Sequence, residues 1–263
     1  MAAGEIMKIV ILGAGNMGTH LGLEFFRQGI EILQVYNRNP QSGKKLAAKI
    51  GAEYISDPGK ISKKADLYIL SVSDSVIKKM AKKINLKNKL IVHCSGTIPM
   101  DILKSASLHY GVFYPLQTFS QGKPVRFRKI PVCIEASSGP AEERLLKLGN
   151  RISRNVQIVN SKQRRILHLT AVFANNFTNF MYAVAEDLLQ KSGIPFSLLI
   201  PLIRQTALNV SRGEAMKHQT GPAIREDYTV IGKHEQLLAQ YPEYLEIYEL
   251  LNKNIIKYKK LHG

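Results

Sequence analysis

Three glycines stand at a spacing that suits phosphate binding, in the segment KIVILGAGNMG: Gly13, Gly15 and Gly18. A short apolar run precedes them and helix-forming residues follow, so the turn joins a strand to a helix. In such a turn Gly13 permits the tight bend, Gly15 lets the backbone approach a pyrophosphate, and Gly18 lets the helix pack on the strand. The first residues of the helix, Asn16 and Met17, then present N–H groups to the phosphates. The pattern therefore predicts a dinucleotide-binding site.

The second apolar strand ends in VYNR, which puts Asn37 and Arg38 where such a site meets the adenosine ribose. Sites for NAD(H) carry Asp or Glu there, which accepts hydrogen bonds from the 2′-hydroxyl and would repel a 2′-phosphate. A guanidinium instead binds a phosphate through charge-assisted, often bidentate bonds. The sequence thus favours NADP(H) as the cofactor, and the alternative is that Arg38 is a solvated loop cation.

Two further turns follow apolar strands, SVSD at 71–74 and HCSG at 93–96. Ligands of a doubly wound sheet bind beyond the carboxyl ends of its strands, so both turns should border the cofactor. We expect the first turn to cover the middle of the cofactor with Ser71, Val72 and Ser73. We expect the second turn to approach the nicotinamide ribose or ring with two small residues, Ser95 and Gly96.

Strands and helices alternate over roughly the first 155 residues, which predicts a parallel sheet with helices on both faces. Apolar runs predict strands at 8–12, 31–36, 53–55, 67–72, 89–94 and 130–135. Helices are predicted at 16–28, 40–50, 74–84, 99–105 and 140–153. Connections are expected at four glycines, Gly51, Gly59, Gly111 and Gly122. The fold class is therefore α/β, with an N-terminal doubly wound parallel sheet.

Beyond about residue 160 clear strands disappear, and the pattern predicts an all-helical C-terminal domain. Its helices are expected at 166–185, 196–213, 230–240 and 241–260. The chain should accordingly comprise a nucleotide-binding domain, residues 1–158, and a helical domain for substrate binding and dimerisation, residues 159–263.

The predicted helix 166–185 has no formally charged residue. Its histidine and asparagines make membrane insertion costly, so we expect a helix buried inside the protein. At 100° per residue its polar side chains fall near one line with Glu186, the residue that follows, which favours a helix lining a closed cleft: His168, Asn175, Asn179, Tyr182 and Glu186. His168 would exchange a proton there, and Asn175 and Asn179 would orient substrate or polarise a carbonyl. The alternative is an internal hydrogen-bond network between packed helices, with a structural histidine.

The chain has 263 residues and a net charge of +17, concentrated in two segments. Residues 38–89 hold 13 Lys and Arg against 4 acids, and residues 123–165 hold 11 against 3. No nucleic-acid-binding motif accompanies these charges, so solvated helix faces are the preferred explanation and electrostatic nucleic-acid binding is a third hypothesis.

The two cysteines, Cys94 and Cys133, form no metal or disulfide pattern and fit a reducing cytoplasm.

These features resemble the 6-phosphogluconate dehydrogenase-like superfamily, to which pyrroline-5-carboxylate reductases and deazaflavin-linked NADP oxidoreductases belong. A bacterial family of Rossmann-like proteins with a helical C-terminal domain of unknown function is a closer resemblance. Its characteristic segments occur here as HCSG at 93–96, YPLQTF at 114–119, AVFANNFTN at 171–179 and TGPAIREDYTV at 220–230. The resemblance implies a Rossmann domain followed by a helical domain that forms a homodimer.

The glycine turn, Arg38 and the polar line of the predicted helix favour an NADP(H)-dependent reductase that acts on a small carbonyl or imine in a cleft between the domains. Proteins of the resembling bacterial family commonly have His-Pro where this chain has Tyr114-Pro115, and Arg-Gly-Asp where it has Arg225-Glu226-Asp227. The lysine that many hydroxyacid dehydrogenases carry four residues before a helix asparagine is also missing, which counts against hydroxyacid oxidation. A binding or sensor module that holds NADP without turnover is therefore the alternative.

Four further residues are secondary candidates for substrate binding: Gln117, Thr118, Arg225 and Asp227. The TGPA segment can equally begin a helix, with Pro222 as its first residue. For Arg225 the two alternatives are binding of a substrate carboxylate and an ion pair with Asp227 alone. Neither a membrane partner nor a bound metal is expected.

Overall fold

The computed structural model describes residues 7–120, 122–211 and 213–262. Contacts divide the chain into two compact units, the first ending at Phe173 and the second beginning at Ala174. The boundary predicted between residues 158 and 159 marks the end of the strand-forming sequence and stays a prediction. The contact division falls within a long helix, because the first half of that helix packs on the sheet of the first unit.

Eight strands of the first unit form one sheet in the order β3-β2-β1-β4-β5-β6-β7-β8. They are β1 (Lys8–Leu12), β2 (Glu31–Tyr36), β3 (Glu53–Ile55), β4 (Leu67–Leu70), β5 (Lys87–His93), β6 (Ser107–Pro115), β7 (Val132–Ala136) and β8 (Val156–Ile158). The pair β6–β7 is antiparallel, and the other pairs are parallel. The carboxyl ends of β1, β2, β4, β5 and β6 therefore meet at one edge, which confirms the predicted α/β sheet.

Helices cover both faces of this sheet: α1 (Asn16–Arg27), α2 (Pro40–Ile50), α3 (Asp74–Lys83) and α4 (Gly139–Ile152). Successive side chains of a strand point to opposite faces, so β1 contributes to two cores. Ile9 and Ile11 pack with buried residues of α1, α2 and α4, whereas Val10 and Leu12 pack with those of α3. The doubly wound arrangement thus follows from a strand that is apolar at consecutive positions.

Three local predictions for the first unit were wrong or incomplete. Strands β6 and β8 were not predicted, and Gly111 lies inside β6 rather than in a connection. The β6 sequence SLHYGVFYP begins with polar residues and holds a glycine, so it has no uninterrupted apolar run. The helix predicted at 99–105 is a short 3₁₀ turn at Met100–Leu103.

The last helix of the first unit is α5 (Ser161–Ala171), and a π-helical segment, Val172–Phe177, follows it along the chain. The predicted helix 166–185 therefore exists but is not one regular α-helix. A π-helical turn contains more residues than an α-helical turn. The polar line calculated at 100° per residue consequently does not extend unchanged from His168 to Asn175 and Asn179.

The second unit is helical, as predicted: α6 (Thr178–Lys191), α7 (Ile200–Val210), α8 (Pro222–Arg225), α9 (Tyr228–Leu238) and α10 (Pro242–His262). Pro222 begins α8, and Glu226 ends it with a left-handed backbone, φ 56°. Glycine adopts that conformation without strain, which gives a physical reason for the Arg-Gly-Asp of the resembling family. Asp227 caps α9 by accepting a hydrogen bond from the Val230 N–H at 3.1 Å.

The expectation that helix 166–185 is buried was wrong for the isolated chain. Five of its large apolar side chains are half or more exposed, for example Ile166 at 59% and Phe180 at 50%. Among the described residues of α5 only the charged Arg164 is buried. In the described ranges no helix is both long and apolar enough to cross a membrane.

Candidate active site

The glycine turn lies at the carboxyl end of β1 and is packed too tightly for side chains at two of its three glycines. Gly13 has φ 115°, and a Cβ on it would lie 2.5 Å from the Ser71 carbonyl oxygen. A Cβ on Gly18 would lie 1.9 Å from the Gly13 carbonyl oxygen. The Ser71 hydroxyl also donates to this oxygen at 2.7 Å. Ser71 therefore supports the turn itself.

Gly15 is different, because a Cβ there would meet no protein atom within 4 Å. It precedes α1, and no side chain in the described part of the chain caps that helix. The first N–H groups of α1 are thus available to an anion at the positive end of the helix dipole. This arrangement fits the pyrophosphate of a dinucleotide. Asn16 donates from its side chain to the Phe119 carbonyl at 2.9 Å, so its side chain ties down the segment after β6.

Asn37 follows β2 and connects three segments through its side chain. Its Oδ1 accepts from the Ala14 N–H at 3.1 Å, and its Nδ2 donates to the Ser42 hydroxyl at 2.7 Å and the Asn39 carbonyl at 2.9 Å. The Asn37 side chain therefore links the glycine turn to the start of α2 through hydrogen bonds. Arg38, the next residue, is exposed beside it.

A cavity of about 730 Å³ borders the glycine turn and runs between α1, α2 and residues 122–127. Ala14 and Gly15 line one end of it, and Asn39, Ser42 and Lys45 line the side formed by α2. Sequence reasoning did not single out Ser42 or Lys45. Their spacing of three residues on one helix face was the available signal.

The turns after β4 and β5 contact each other, as expected for neighbouring parallel strands. The Thr97 hydroxyl donates to the carboxylate of Asp74, the first residue of α3. The Ser95 hydroxyl accepts from the N–H groups of Thr97 at 3.1 Å and Ile98 at 3.0 Å. Val72 is half-buried and Ser73 is exposed. The Ser95 side chain therefore stabilises the turn after β5 by binding two of its N–H groups.

Two titratable groups beside this turn are held neutral near pH 7. Burial and the neighbouring Arg164 guanidinium lower the pKa of His93 to about 4, and its Nδ1 accepts from the Ser95 N–H at 3.1 Å. Burial raises the pKa of Cys94 to about 12. Cys94 is thus a buried thiol, as predicted, and neither group supplies charge to the site.

Tyr114 and His168 meet beside this turn. The Tyr114 hydroxyl lies 3.1 Å from His168 Nδ1, although Tyr114 lies near the end of β6 and His168 lies on α5. A Cβ on Gly96 would lie 2.6 Å from the same nitrogen. The small residue at position 96 therefore makes room for the His168 ring. Burial raises the pKa of Tyr114, so its hydroxyl keeps its proton well into the alkaline range.

The other predicted site residues lie elsewhere in their units. Gln117 and Thr118 are exposed in the segment after β6. In the second unit Asn175 lies in the π-helical segment, Asn179 borders a cavity of about 430 Å³ together with Glu186 and Arg204, and Arg225 is exposed. The roles assigned to these residues from the sequence remain predictions.

Sequence reasoning missed a buried charged cluster next to His168. Arg164 lies one helical turn before it, is fully buried, and forms an ion pair with Glu135 of β7. Ser161 completes the cluster, because its N–H and hydroxyl both donate to the Glu135 carboxylate, at 2.8 and 2.7 Å. An arginine four residues before the candidate histidine, on the same helix face, was the available signal.

The sheet, the glycine turn and the uncapped helix start define the first unit as a dinucleotide-binding domain of oxidoreductase type. Residues 8–96 match the family model described as NADP oxidoreductase, coenzyme F420-dependent. Residues 130–255 match the domain of unknown function DUF2520. No match is found among curated proteins.

Solved structures of similar fold agree with this class. A putative NADP oxidoreductase from Bacteroides fragilis is 43% identical, with a TM-score of 0.90 over 95% of this chain and 98% of that one. An imine reductase from Myxococcus stipitatus, in complex with NADP⁺, is 15% identical, with a TM-score of 0.71 over 97% and 95% of the two chains. A pyrroline-5-carboxylate reductase from Coxiella burnetii is 13% identical, with a TM-score of 0.61 over 95% and 99%.

The chain belongs to the family of the Bacteroides fragilis protein, in which an NADP oxidoreductase domain precedes a DUF2520 domain. The family and the fold together make this protein an NAD(P)-dependent oxidoreductase. The residues at the glycine turn fit such a cofactor, because Gly15 leaves space for it and α1 offers free N–H groups.

Replacing Gly15 and Gly18 by alanine, one at a time, distinguishes a glycine that leaves room for the cofactor from a glycine that is needed for packing of the turn. Gly15→Ala should fold normally, because its φ of −75° suits alanine and its Cβ meets no protein atom. It should bind NADPH roughly tenfold more weakly, a loss of about 1.4 kcal/mol, because the methyl group occupies the approach of the pyrophosphate. Gly18→Ala should lower the free energy of unfolding by about 1–3 kcal/mol, because its Cβ overlaps the Gly13 carbonyl. Calorimetry and denaturant unfolding measure the two effects, and NADPH affinity of Gly15→Ala equal to that of the wild type would contradict the assignment.

Proposed function

We propose that this protein is an NADP(H)-dependent reductase of a small carbonyl or imine compound. The observation that carries the proposal is the Tyr114–His168 hydrogen bond, which lies against Gly96 in the turn expected to border the nicotinamide. A reduction of this kind adds a hydride to carbon and a proton to the oxygen or nitrogen. A cofactor site with an adjacent proton-exchanging pair meets both requirements.

The cofactor supplies the hydride when it is bound. Burial raises the pKa of Tyr114, so its hydroxyl keeps its proton, and we assign this hydroxyl as the donor to His168 Nδ1. The other ring nitrogen, Nε2, then carries the imidazole proton and is the atom that exchanges a proton with substrate. Tyr114 thus fixes the tautomer of His168. The substitution of tyrosine for the histidine found in resembling proteins leaves a hydroxyl donor at this position.

NADP(H) rather than NAD(H) is proposed because the positions after β2 carry no carboxylate. Arg38 is exposed there, and Ser42 and Lys45 line the cavity that begins at the glycine turn. A hydroxyl and two cations suit a 2′-phosphate. The imine reductase of similar fold was crystallised with NADP⁺, which agrees with this choice.

The second candidate function is an NADP-binding sensor without turnover. It is favoured by Ala171 and Val172, which stand four residues before Asn175 and Asn176, where a catalytic lysine occurs in many hydroxyacid dehydrogenases. Both candidates require cofactor binding, and only the first requires consumption of NADPH.

The reductase proposal is tested by NADPH oxidation with a panel of cyclic imines, aldehydes and ketones. His168→Ala should lower kcat about 10²- to 10⁴-fold, because the proton donor is lost, and should leave NADPH affinity unchanged. Tyr114→Phe should lower kcat less, because only the group that fixes the tautomer is removed. His109→Ala, an exposed histidine of β6, is the control. Tight NADPH binding without oxidation by any compound would favour the sensor, and full activity of His168→Ala would remove His168 from the mechanism.

The cofactor proposal is tested by charge reversal at Arg38. Arg38→Asp should weaken NADPH binding about 10- to 100-fold through loss of a charge-assisted contact and leave NADH binding nearly unchanged. Lys44→Asp makes the same charge change at an exposed position of α2 outside the cavity lining. Fluorescence titration with both cofactors measures the ratio of affinities. An equal NADPH/NADH ratio in Arg38→Asp and wild type would refute the assignment of Arg38.

We further infer that a second copy of the chain covers apolar helix surface, giving a homodimer. The support is the exposure of Phe180 on α6 at 50% and of Leu202 on α7 at 63%, in a unit whose helices carry few buried residues. Large exposed apolar patches mark association sites.

The two free, buried cysteines support a cytoplasmic location, which cell fractionation would test.

Light scattering should give twice the chain mass for the wild type. Phe180→Glu should shift the protein toward the chain mass, because a charge cannot be buried in an apolar interface without a partner. Phe26→Glu places the same charge on an exposed phenylalanine of α1 and should leave the mass unchanged. A monomeric wild type at micromolar concentration would exclude the dimer.

A further inference from the structure

Arg164 is the largest side chain in the described residues that is completely buried, at 0% exposure. It lies on α5, whose other described residues are partly or fully exposed. Removing a guanidinium from water is expensive unless its donors find acceptors of good geometry. The burial of the Arg164 guanidinium must therefore be compensated by the groups that it contacts.

The partners of Arg164 come from three different elements. Its Nη1 pairs with the Glu135 carboxylate on β7. Its Nε donates to the Ser95 carbonyl at 3.2 Å, and its Nη2 donates to the Ile98 carbonyl at 2.6 Å. The Nη2 atom also lies 3.2 Å from the Ser161 hydroxyl, in the first turn of α5. Two of these bonds go to main-chain carbonyls, so the guanidinium fixes the backbone path of residues 95–98.

Residues 95–98 form the turn that packs against His168. Because residues four apart share one face of a helix, Arg164 and His168 contact adjacent peptide units of that turn. Arg164 holds the Ser95 carbonyl, and the His168 ring lies against Gly96. The Glu135 carboxylate accepts from Arg164 and from both the N–H and the hydroxyl of Ser161, and the Ser161 hydroxyl also accepts from the Met100 N–H at 3.3 Å. The cluster thus binds α5 to both ends of the turn, at Ser95 and at Ile98.

We propose that Arg164 is a positioning residue, which fixes the Ser95–Ile98 turn against α5 and thereby sets where His168 stands relative to the bound cofactor. The inference rests on the proposed function, since it assigns a task to His168. It goes further in naming the guanidinium, with Glu135 and Ser161, as the group that sets the geometry of proton transfer. Misplacement of a reacting group by about 1 Å lowers rates about 100-fold, so the clamp has a kinetic consequence.

The first test compares Arg164→Lys with the wild type. Lysine keeps the positive charge for Glu135, but its single nitrogen cannot reproduce the bonds to both Ser95 and Ile98. We expect a folded protein whose kcat falls about 10- to 100-fold, while its dissociation constant for NADPH changes less than about threefold, because the glycine turn is untouched. Ser161→Ala removes one member of the cluster without a charge change and should give a smaller loss of kcat. Arg144→Met, which removes a partly buried arginine of α4 that donates to Asp66, is the control and should keep kcat.

The second test does not depend on turnover. The ¹⁵N resonances of the His168 imidazole, assigned by their loss in His168→Ala, report its tautomer and its bond to Tyr114. In Arg164→Lys and Ser161→Ala these resonances should move toward those of a solvent-exposed histidine, and in Arg144→Met they should stay in place. If the wild type reduces no compound, the proposed function fails and the resonances still decide the positioning role.

The outcomes separate a positioning role from a structural one. Unchanged His168 resonances with an unchanged kcat, together with a lower melting temperature, would show that the cluster only stabilises the fold and would overturn the proposal. Should Arg164→Lys fail to fold, the double variant Arg164→Met/Glu135→Gln removes both charges of the ion pair together, and its kcat and His168 resonances are interpreted in the same way. A shift of the resonances with a loss of kcat in any folded variant of the cluster supports the proposal.

Discussion

The fully buried guanidinium of Arg164 constrains the region around it, because each donor that it takes out of water needs an acceptor inside the protein. It finds them in the backbone of the turn after β5, in Glu135 of β7 and in the first turn of α5. Strands that are far apart in sequence are thereby tied to one helix. His168, which pairs with Tyr114 of β6, lies on the same helix one turn later, so the candidate chemistry depends on how α5 is anchored.

The cofactor end of the site depends on close packing of a different kind. The glycine turn lies against the main chain after β4, and Ser71 donates into it. Asn37 then joins the turn to the start of α2. Residues that the sequence suggested as direct cofactor contacts thus shape the main chain, and Gly15 and the open start of α1 remain as the surfaces offered to a ligand. The match of residues 8–96 to an NADP oxidoreductase family model agrees with a cofactor site at this turn.

The sequence predicted most of the sheet because its strands are buried on both faces and appear as uninterrupted apolar runs. It failed for β6, whose polar start and internal Gly111 hide a strand that is specified by its neighbours β5 and β7. It also failed for the burial of helix 166–185, because an apolar face does not tell whether its partner belongs to the same chain. The wider turns of the π-helical segment were invisible to a calculation at a fixed 100° per residue.

By itself, the sequence determined the α/β class, the dinucleotide turn and the helical second half, since these depend on local periodicity and on glycine spacing. It also pointed to His168 as a titratable group. Only the tertiary structure decided that Tyr114 is its partner, that Gly96 makes room for its ring, and that Arg164 is buried. The Tyr114–His168 contact joins residues 54 positions apart, and Arg164 bonds to Ser95 over 69 positions; the order of strands in the sheet, which no local pattern encodes, brings these residues together.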